Sequence, residues 1–243
     1  MTDNTRSARR TLVTGGTTGI GREIVRALAE QGHNIVTNGR ERAPLDEMLA
    51  LVAQAPGNVS GLTADLATRT GQQAVIAAAD ATLGGLDILI ANAAIGADPL
   101  DEMDDDGWRY VIDTNLTGCL AVTRAALERM NDGGDIILVG SISSDILAPG
   151  ESVYAATKGG IAAFAETLRK EVAKRDIRVT LVQPGSVATD MQQMPQHEKE
   201  TATAAHEMLH AADVAEAVRW LLSQPRRVDV VTLRIEPRIQ STG

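Results

Sequence analysis

Tyr154 and Lys158 stand four positions apart in the run Tyr154-Ala155-Ala156-Thr157-Lys158. On a helix that spacing puts both side chains on one face. A free phenol titrates near ~10, too high for proton exchange near neutrality, whereas an ammonium within ~4–6 Å favours the phenolate. Lys158 is therefore expected to depress the Tyr154 phenol and make it an acid–base group. A depression of three units would correspond to ~4 kcal/mol of differential interaction. Upstream, Ser141 ends an apolar, strand-like run, where its hydroxyl could hold a substrate oxygen beside the phenol.

A second constellation sits near the amino terminus. Thr14-Gly15-Gly16-Thr17-Thr18-Gly19-Ile20-Gly21 follows the first apolar run and opens the first helix-period segment. A pyrophosphate can approach backbone only where no Cβ intrudes, and a helix amino end offers it unpaired N–H groups and a partial positive charge. Gly15, Gly19 and Gly21 supply that clearance, in a G-x3-G-x-G spacing. The second run ends at Asn38-Gly39-Arg40, the corner where a dinucleotide fold meets the adenosine ribose. An acidic residue there would accept from a ribose 2′-hydroxyl, whereas an arginine pairs with a 2′-phosphate. Arg40 therefore favours NADP(H), with NAD(H) as the alternative because Arg22 or Arg42 could adjust the same pocket.

The elements that must position these residues alternate along the chain. Apolar or β-branched runs at Thr11–Thr14, Asn34–Asn38, Val59–Thr63, Asp87–Ala91, Asp135–Gly140, Arg178–Gln183 and Val228–Ile235 read as strands. Between them, Gly19–Gln31, Leu45–Ala55, Arg69–Leu83, Asp106–Met130, Val153–Lys174 and Ala212–Ser223 have helical length and spacing. The expected fold is a single α/β domain over residues 1–243, a Rossmann-type doubly wound parallel seven-stranded sheet flanked by helices. Trp108, Tyr110, Tyr154, Phe164 and Trp220 are the only aromatic residues, so Ala, Val, Ile and Leu must build the core.

The formal net charge of −9 disfavours nucleic-acid and membrane-surface partners. The lone Cys119 excludes an internal disulfide framework and reads as a small buried apolar residue. The first eleven residues are polar, with no apolar leader segment, and no run approaches a membrane span. A cytoplasmic location is expected. The acidic cluster Asp101, Glu102, Asp104, Asp105 and Asp106 precedes a helix and reads as favouring its dipole rather than as a calcium loop.

Taken together, Thr14-Gly15-x3-Gly19-Ile20-Gly21, Asn92-Ala93-Ala94, Asn115, Ser141, Tyr154, Lys158 and Pro184-Gly185, in this order, resemble the short-chain dehydrogenase/reductase family. The resemblance is strong from about Thr11 to Thr189. It implies reversible hydride transfer between a nicotinamide and a small or medium carbonyl or alcohol. Ser141 would polarise the substrate, Tyr154 would carry the proton, Lys158 would hold the nicotinamide ribose, and the Asn115 backbone would anchor a relay water. Gly15, Thr17, Gly19, Ile20, Gly21, Arg40, Asp65, Leu66, Asn92, Ala93, Pro184, Gly185, Val187 and Thr189 would complete the cofactor site. The resemblance also implies a homotetramer or homodimer built on the helices Asp106–Met130 and Val153–Lys174, and a substrate lid over residues 190–211.

Two positions depart from the family pattern. Ile95 stands where Asn-Ala-Ala usually continues with Gly, and the seventh run reads Val230-Val231-Thr232-Leu233-Arg234-Ile235-Glu236-Pro237 instead of ending Gly-rich. Ile95, Ile142, Ile146, Leu147, Met191 and Met194 would line a partly apolar substrate pocket. Two other readings stay open. His206-Glu207-Met208-Leu209-His210 matches H-E-x-x-H and, on a helix, would bind zinc as a hydrolase. A catalytically idle nucleotide-binding protein acting through partners is the other, and intact Ser141, Tyr154 and Lys158 speak against it. No metal is expected.

Overall fold

The computed structural model describes residues 8–240. The expectation about the amino-terminal stretch therefore falls largely outside the described residues. Seven strands form one sheet: β1 (Arg10–Val13), β2 (Asn34–Gly39), β3 (Val59–Thr63), β4 (Leu86–Ala91), β5 (Met130–Val139), β6 (Arg178–Pro184) and β7 (Thr232–Ile235). Their order is β3-β2-β1-β4-β5-β6-β7, and every neighbouring pair is parallel. Chain direction across the sheet reverses between β1 and β4, which opens a ligand crevice beyond the carboxyl ends of those strands.

The helices are α1 (Gly19–Glu30), α2 (Arg42–Leu51), α3 (Arg69–Leu83), α4 (Asp105–Ile112), α5 (Gly118–Leu127), α6 (Ser143–Ile146), α7 (Ser152–Val172), α8 (Gln196–Ala204) and α9 (Ala211–Ser223). Among the described residues no helix is long and apolar enough to cross a membrane. Successive strand side chains point to opposite faces, and both faces are covered. Leu12, Leu89, Ile136, Leu138 and Leu181 pack under α3, α5 and α7 with Val75, Val122 and Ile161. Val13, Ile88, Ile90, Ile137 and Val182 pack on the other face with Ile24 and Leu28 of α1 and Val214 and Val218 of α9. The buried hydrophobic side chains are mainly Ala, Val, Ile and Leu, as expected from the composition.

Several boundaries move for physical reasons. Helix α2 starts at Arg42, not Leu45, because Pro44 sits in its first turn, where a missing N–H leaves no bond unmade. The long helix expected over 106–130 is interrupted by a π-helical turn at Asp113–Thr117 and ends at Leu127. Asp104 caps α4 by accepting from Gly107 N at 2.7 Å, and Asp105 and Asp106 fill its first turn, so the acidic cluster serves the helix. Strand β5 begins at Met130, ahead of Asp135, because Met130 pairs with Leu86 and the register then shifts before Asp135 follows Ile88. Strand β7 is confined to Thr232–Ile235. Helix α8 lies inside the expected lid and is polar almost throughout, so it carries no periodic apolar signal.

Candidate active site

A parallel sheet delivers the residue after each strand to one edge, and the sequence places chemistry there. After β1, Gly15 takes φ +64°, and a Cβ on it would lie 2.8 Å from Ala93 Cα. A Cβ on Gly21 would lie 2.0 Å from Gly15 O, so the turn closes only with glycine there. Thr14 Oγ1 accepts from Asn92 N and Ala93 N, each at 3.1 Å, and Asn92 Nδ2 donates to Thr14 O and Gly15 O. Asn92 thereby ties the end of β4 to the turn. Thr18 makes no side-chain cap on α1, which leaves the first-turn N–H groups uncapped by their own N-cap. This tight glycine turn, opening onto an uncapped helix end, fits a pyrophosphate.

The adenosine corner follows β2 and β3. Asn38 accepts from Gly15 N at 3.3 Å and donates to Ala64 O at 3.2 Å, joining the glycine turn to this corner. Gly39 lies against Thr17, with room for no Cβ beside Thr17 Oγ1. Arg40 Nη1 donates to the Tyr110 hydroxyl at 3.2 Å, and that hydroxyl donates to Asp65 Oδ2 at 3.0 Å. Arg40 and Asp65 are thus brought together through a residue that sequence reasoning left out. Leu66 is buried in the core.

Beyond β5, Ser141, Tyr154 and Lys158 converge. Lys158, 2% exposed, donates from Nζ to Val139 O at 3.0 Å and lies 5.5 Å from the centre of the Tyr154 ring. Among the described residues no carboxylate lies within ion-pair distance of it. Burial brings its pKa down to about 8. Burial pushes the Tyr154 phenol up to about 12, while a hydrogen bond from Ser141 pulls it back and Glu151 adds to the rise. The phenol thus moves opposite to the expected depression. The physical reason is that the amine is bonded to a backbone carbonyl and desolvation disfavours charge on both groups. Ser141 Oγ accepts from Ser143 N at 3.1 Å, which orients the hydroxyl at the start of α6.

Asn115 lies in the π-helical turn, fully buried. Its side chain accepts from Ile95 N and donates to Ile95 O, both at 2.8 Å, strapping the wall after β4. Its Nδ2 also reaches Thr157 Oγ1 on α7 at 3.4 Å. The Ile95 departure is accommodated because Asn115 grips the backbone at that position. After β6, Ile142 N donates to Pro184 O at 3.1 Å and Gly185 N to Ile235 O at 2.8 Å. A Cβ on Gly19 would lie 3.2 Å from Thr189 Cγ2, so the segment after β6 meets the glycine turn.

Residues 9–201 match the family described as short chain dehydrogenase. The chain belongs to the short-chain dehydrogenase/reductase family. A relative from Shigella flexneri, described as an NADP-dependent 3-hydroxy acid dehydrogenase, is 32% identical over 95% of each chain. A dehydrogenase/reductase from Sinorhizobium meliloti 1021 superposes with a TM-score of 0.86 at 30% identity, over 95% of each chain. A Burkholderia cenocepacia short chain dehydrogenase solved in complex with NADP gives 0.84 at 27% identity, over 94% of this chain and 96% of the other.

As a short-chain dehydrogenase/reductase, the protein is an oxidoreductase, and the H-E-x-x-H run takes a different form here. His206 has φ +63°, Leu209 bridges to Val187, and His210 precedes α9, where its N–H donates to Asp213 Oδ2 at 2.8 Å. The two imidazoles therefore do not share a helical face, and the zinc geometry is not formed. Within the reductase's other departure, the run over residues 230–237, Arg234 reaches Asp145 Oδ2 at 3.4 Å and Glu236, while Gln183 donates to Ser144 Oγ and Asp145 Oδ2. This network anchors the segment after Ser141, and the sequence offered no signal for it beyond the unusual Arg234. Gly185 is covered by Glu236, Pro237 and Gln240, the stretch following β7.

Proposed function

We propose that this enzyme catalyses the reversible, NADP(H)-dependent interconversion of a small or medium ketone or aldehyde and its alcohol. What supports this most directly is one arrangement: a buried amine lacking a counter-carboxylate, a phenol and a serine hydroxyl share the sheet edge that holds the glycine turn. Retaining a desolvated cation is costly for folding, and such groups cluster where proton transfer is done. The nicotinamide, when bound, supplies or accepts the hydride. Ser141 and Tyr154 hydrogen-bond the carbonyl oxygen, and Tyr154 gives its proton to that oxygen in reduction or takes it in oxidation.

Lys158 holds the nicotinamide ribose, with its amine 5.5 Å from the centre of the Tyr154 ring. The Asn115 backbone holds the relay water. Gly15, Thr17, Gly19, Ile20 and Gly21 hold the pyrophosphate; Asp65, Leu66, Asn92 and Ala93 border the adenosine; Pro184, Gly185, Val187 and Thr189 face the carboxamide. Arg40 selects the 2′-phosphate, a preference in keeping with the NADP-dependent relative and the NADP-bound neighbour. Leu147 and Met191, both exposed beside the site, suit a partly apolar substrate under a lid over residues 190–211. Assembly through α4, α5 and α7 as a homotetramer or homodimer, and a cytoplasmic location, belong to the same proposal; Leu120 is an exposed leucine on the α5 face.

The deciding experiment measures NADPH and NADH oxidation spectrophotometrically over ketones and aldehydes, and the reverse over alcohols. Turnover with NADPH preferred is the expected result. Tight NADPH binding with no turnover on any carbonyl would favour the idle, partner-acting alternative instead.

A further inference from the structure

Tyr110 is one of only two tyrosines, and the proton chemistry at Tyr154 leaves it without a role. It lies on α4, and its hydroxyl joins Arg40, at the end of β2, to Asp65, beyond β3. The direction of the chain is fixed by chemistry. A guanidinium has only donors and an ionised carboxylate only acceptors, so the hydroxyl accepts from Arg40 and donates to Asp65. Both bonds are charge-assisted, and each polarises the other.

Two consequences follow for Arg40. Its side chain is long and solvent-exposed, and the bond to Tyr110 selects one of its many rotamers before any ligand arrives. Only one of its five N–H donors faces Tyr110, so the remainder stay available to a phosphate. The neutral phenol also stands between the guanidinium and the Asp65 carboxylate. Among the described residues Arg40 makes no direct ion pair with a carboxylate; Asp65 and Glu41 act on it only at longer range.

We propose that Tyr110 is a positioning residue for cofactor choice, holding Arg40 toward the ribose 2′-phosphate and keeping Asp65 from pairing directly with it. This rests on the NADP(H) reading of Arg40. Without the hydroxyl, Arg40 is free either to wander into solvent or to pair with Asp65, and both weaken a 2′-phosphate site without touching the rest of the nucleotide.

Isothermal titration of the full chain with NADP⁺ and with NAD⁺ tests it, using wild type, Tyr110→Phe, Arg40→Ala and the double variant, with thermal melts confirming folding. Tyr110→Phe is expected to weaken NADP⁺ about fivefold, the size of one lost hydrogen bond, while NAD⁺ stays within about twofold. Arg40→Ala is expected to weaken NADP⁺ further, and adding Tyr110→Phe to it should change nothing more. A merely structural tyrosine would lower both affinities together, and that result overturns the proposal. So does a Tyr110→Phe variant that binds NADP⁺ as well as wild type or more tightly while Arg40→Ala loses selectivity; the NADP(H) reading then survives alone. If Arg40→Ala leaves the NADP⁺ to NAD⁺ ratio unchanged, that reading fails and Tyr110 loses its function with it.

Discussion

Two places along strand β5 treat buried charge in opposite ways. At its carboxyl end, Val139 O accepts from the Lys158 ammonium, which has no carboxylate within ion-pair distance among the described residues. Where the pairing with β6 begins, the Asp135 carboxylate is 5% exposed and receives Arg9 at 2.6 Å, Arg178 at 2.7 Å and Arg226 at 3.0 Å. A guanidinium is planar and offers several donors, so three of them hold Asp135 in place and tie the segment before β1, β5, β6 and the segment before β7 together. The amine at the carboxyl end is compensated by a carbonyl alone, and its proton remains adjustable. One place on the strand uses charge as a fastener, and the other keeps it as a reagent.

Tyr154→Phe should break that contrast most severely. Turnover is expected to fall about 10³-fold or more, with cofactor affinity and melting temperature unchanged, because only the proton carrier is removed. Comparable kcat in the variant would end the assignment.

Farther back along β5, Asp135→Asn should leave three guanidiniums around a neutral amide. Unfolding in urea should then show a loss of about 3 kcal/mol, with NADP⁺ affinity intact; an unchanged midpoint would mean the three arginines find other partners.

Lys158→Met should reverse the sign. Because the amine titrates near 8 when folded and 10.5 when free, the folded state disfavours the bound proton. Wild-type stability is therefore reduced below pH 8 and recovers as pH rises from 8 toward 10.5. Met at this position removes a penalty on the order of 3 kcal/mol, partly offset by the unbonded Val139 O. An inactive variant at least as stable as wild type at pH 7, with that advantage shrinking above pH 8, is the expected outcome. A variant clearly less stable at pH 7 would show that Lys158 serves the fold.

Arg226→Gln carries the smallest effect. Its guanidinium is 38% exposed and Asp135 keeps two other arginines, so a loss under about 1 kcal/mol is expected by chemical denaturation.

Much of this was legible before any coordinates. Strand β3 and helix α3 fall at the expected residues, and the glycine turn, Asn92, Ser141, Tyr154 and Lys158 lie at one sheet edge because local patterns suffice to place residues at strand ends. What escaped was pairing across the fold. Tyr110 lies far from both Arg40 and Asp65 in the chain, and nothing in its neighbours marks it as their bridge. Arg9, Arg178 and Arg226 are likewise far apart in the chain, and only the sheet gathers them on Asp135. Helix α8, lacking an apolar stripe, gave periodicity nothing to detect.

The order of apolar runs, helices and glycines in the chain determined a parallel doubly wound sheet and which side chains would reach its carboxyl edge, since periodicity and turn chemistry act over a few residues. The protonation of those side chains was decided by the assembled fold alone. Spacing on a helix predicted a depressed phenol, but burial pushes Tyr154 upward and Lys158 downward. Desolvation depends on every atom that excludes water from a group, and that shell is assembled from residues distant in sequence.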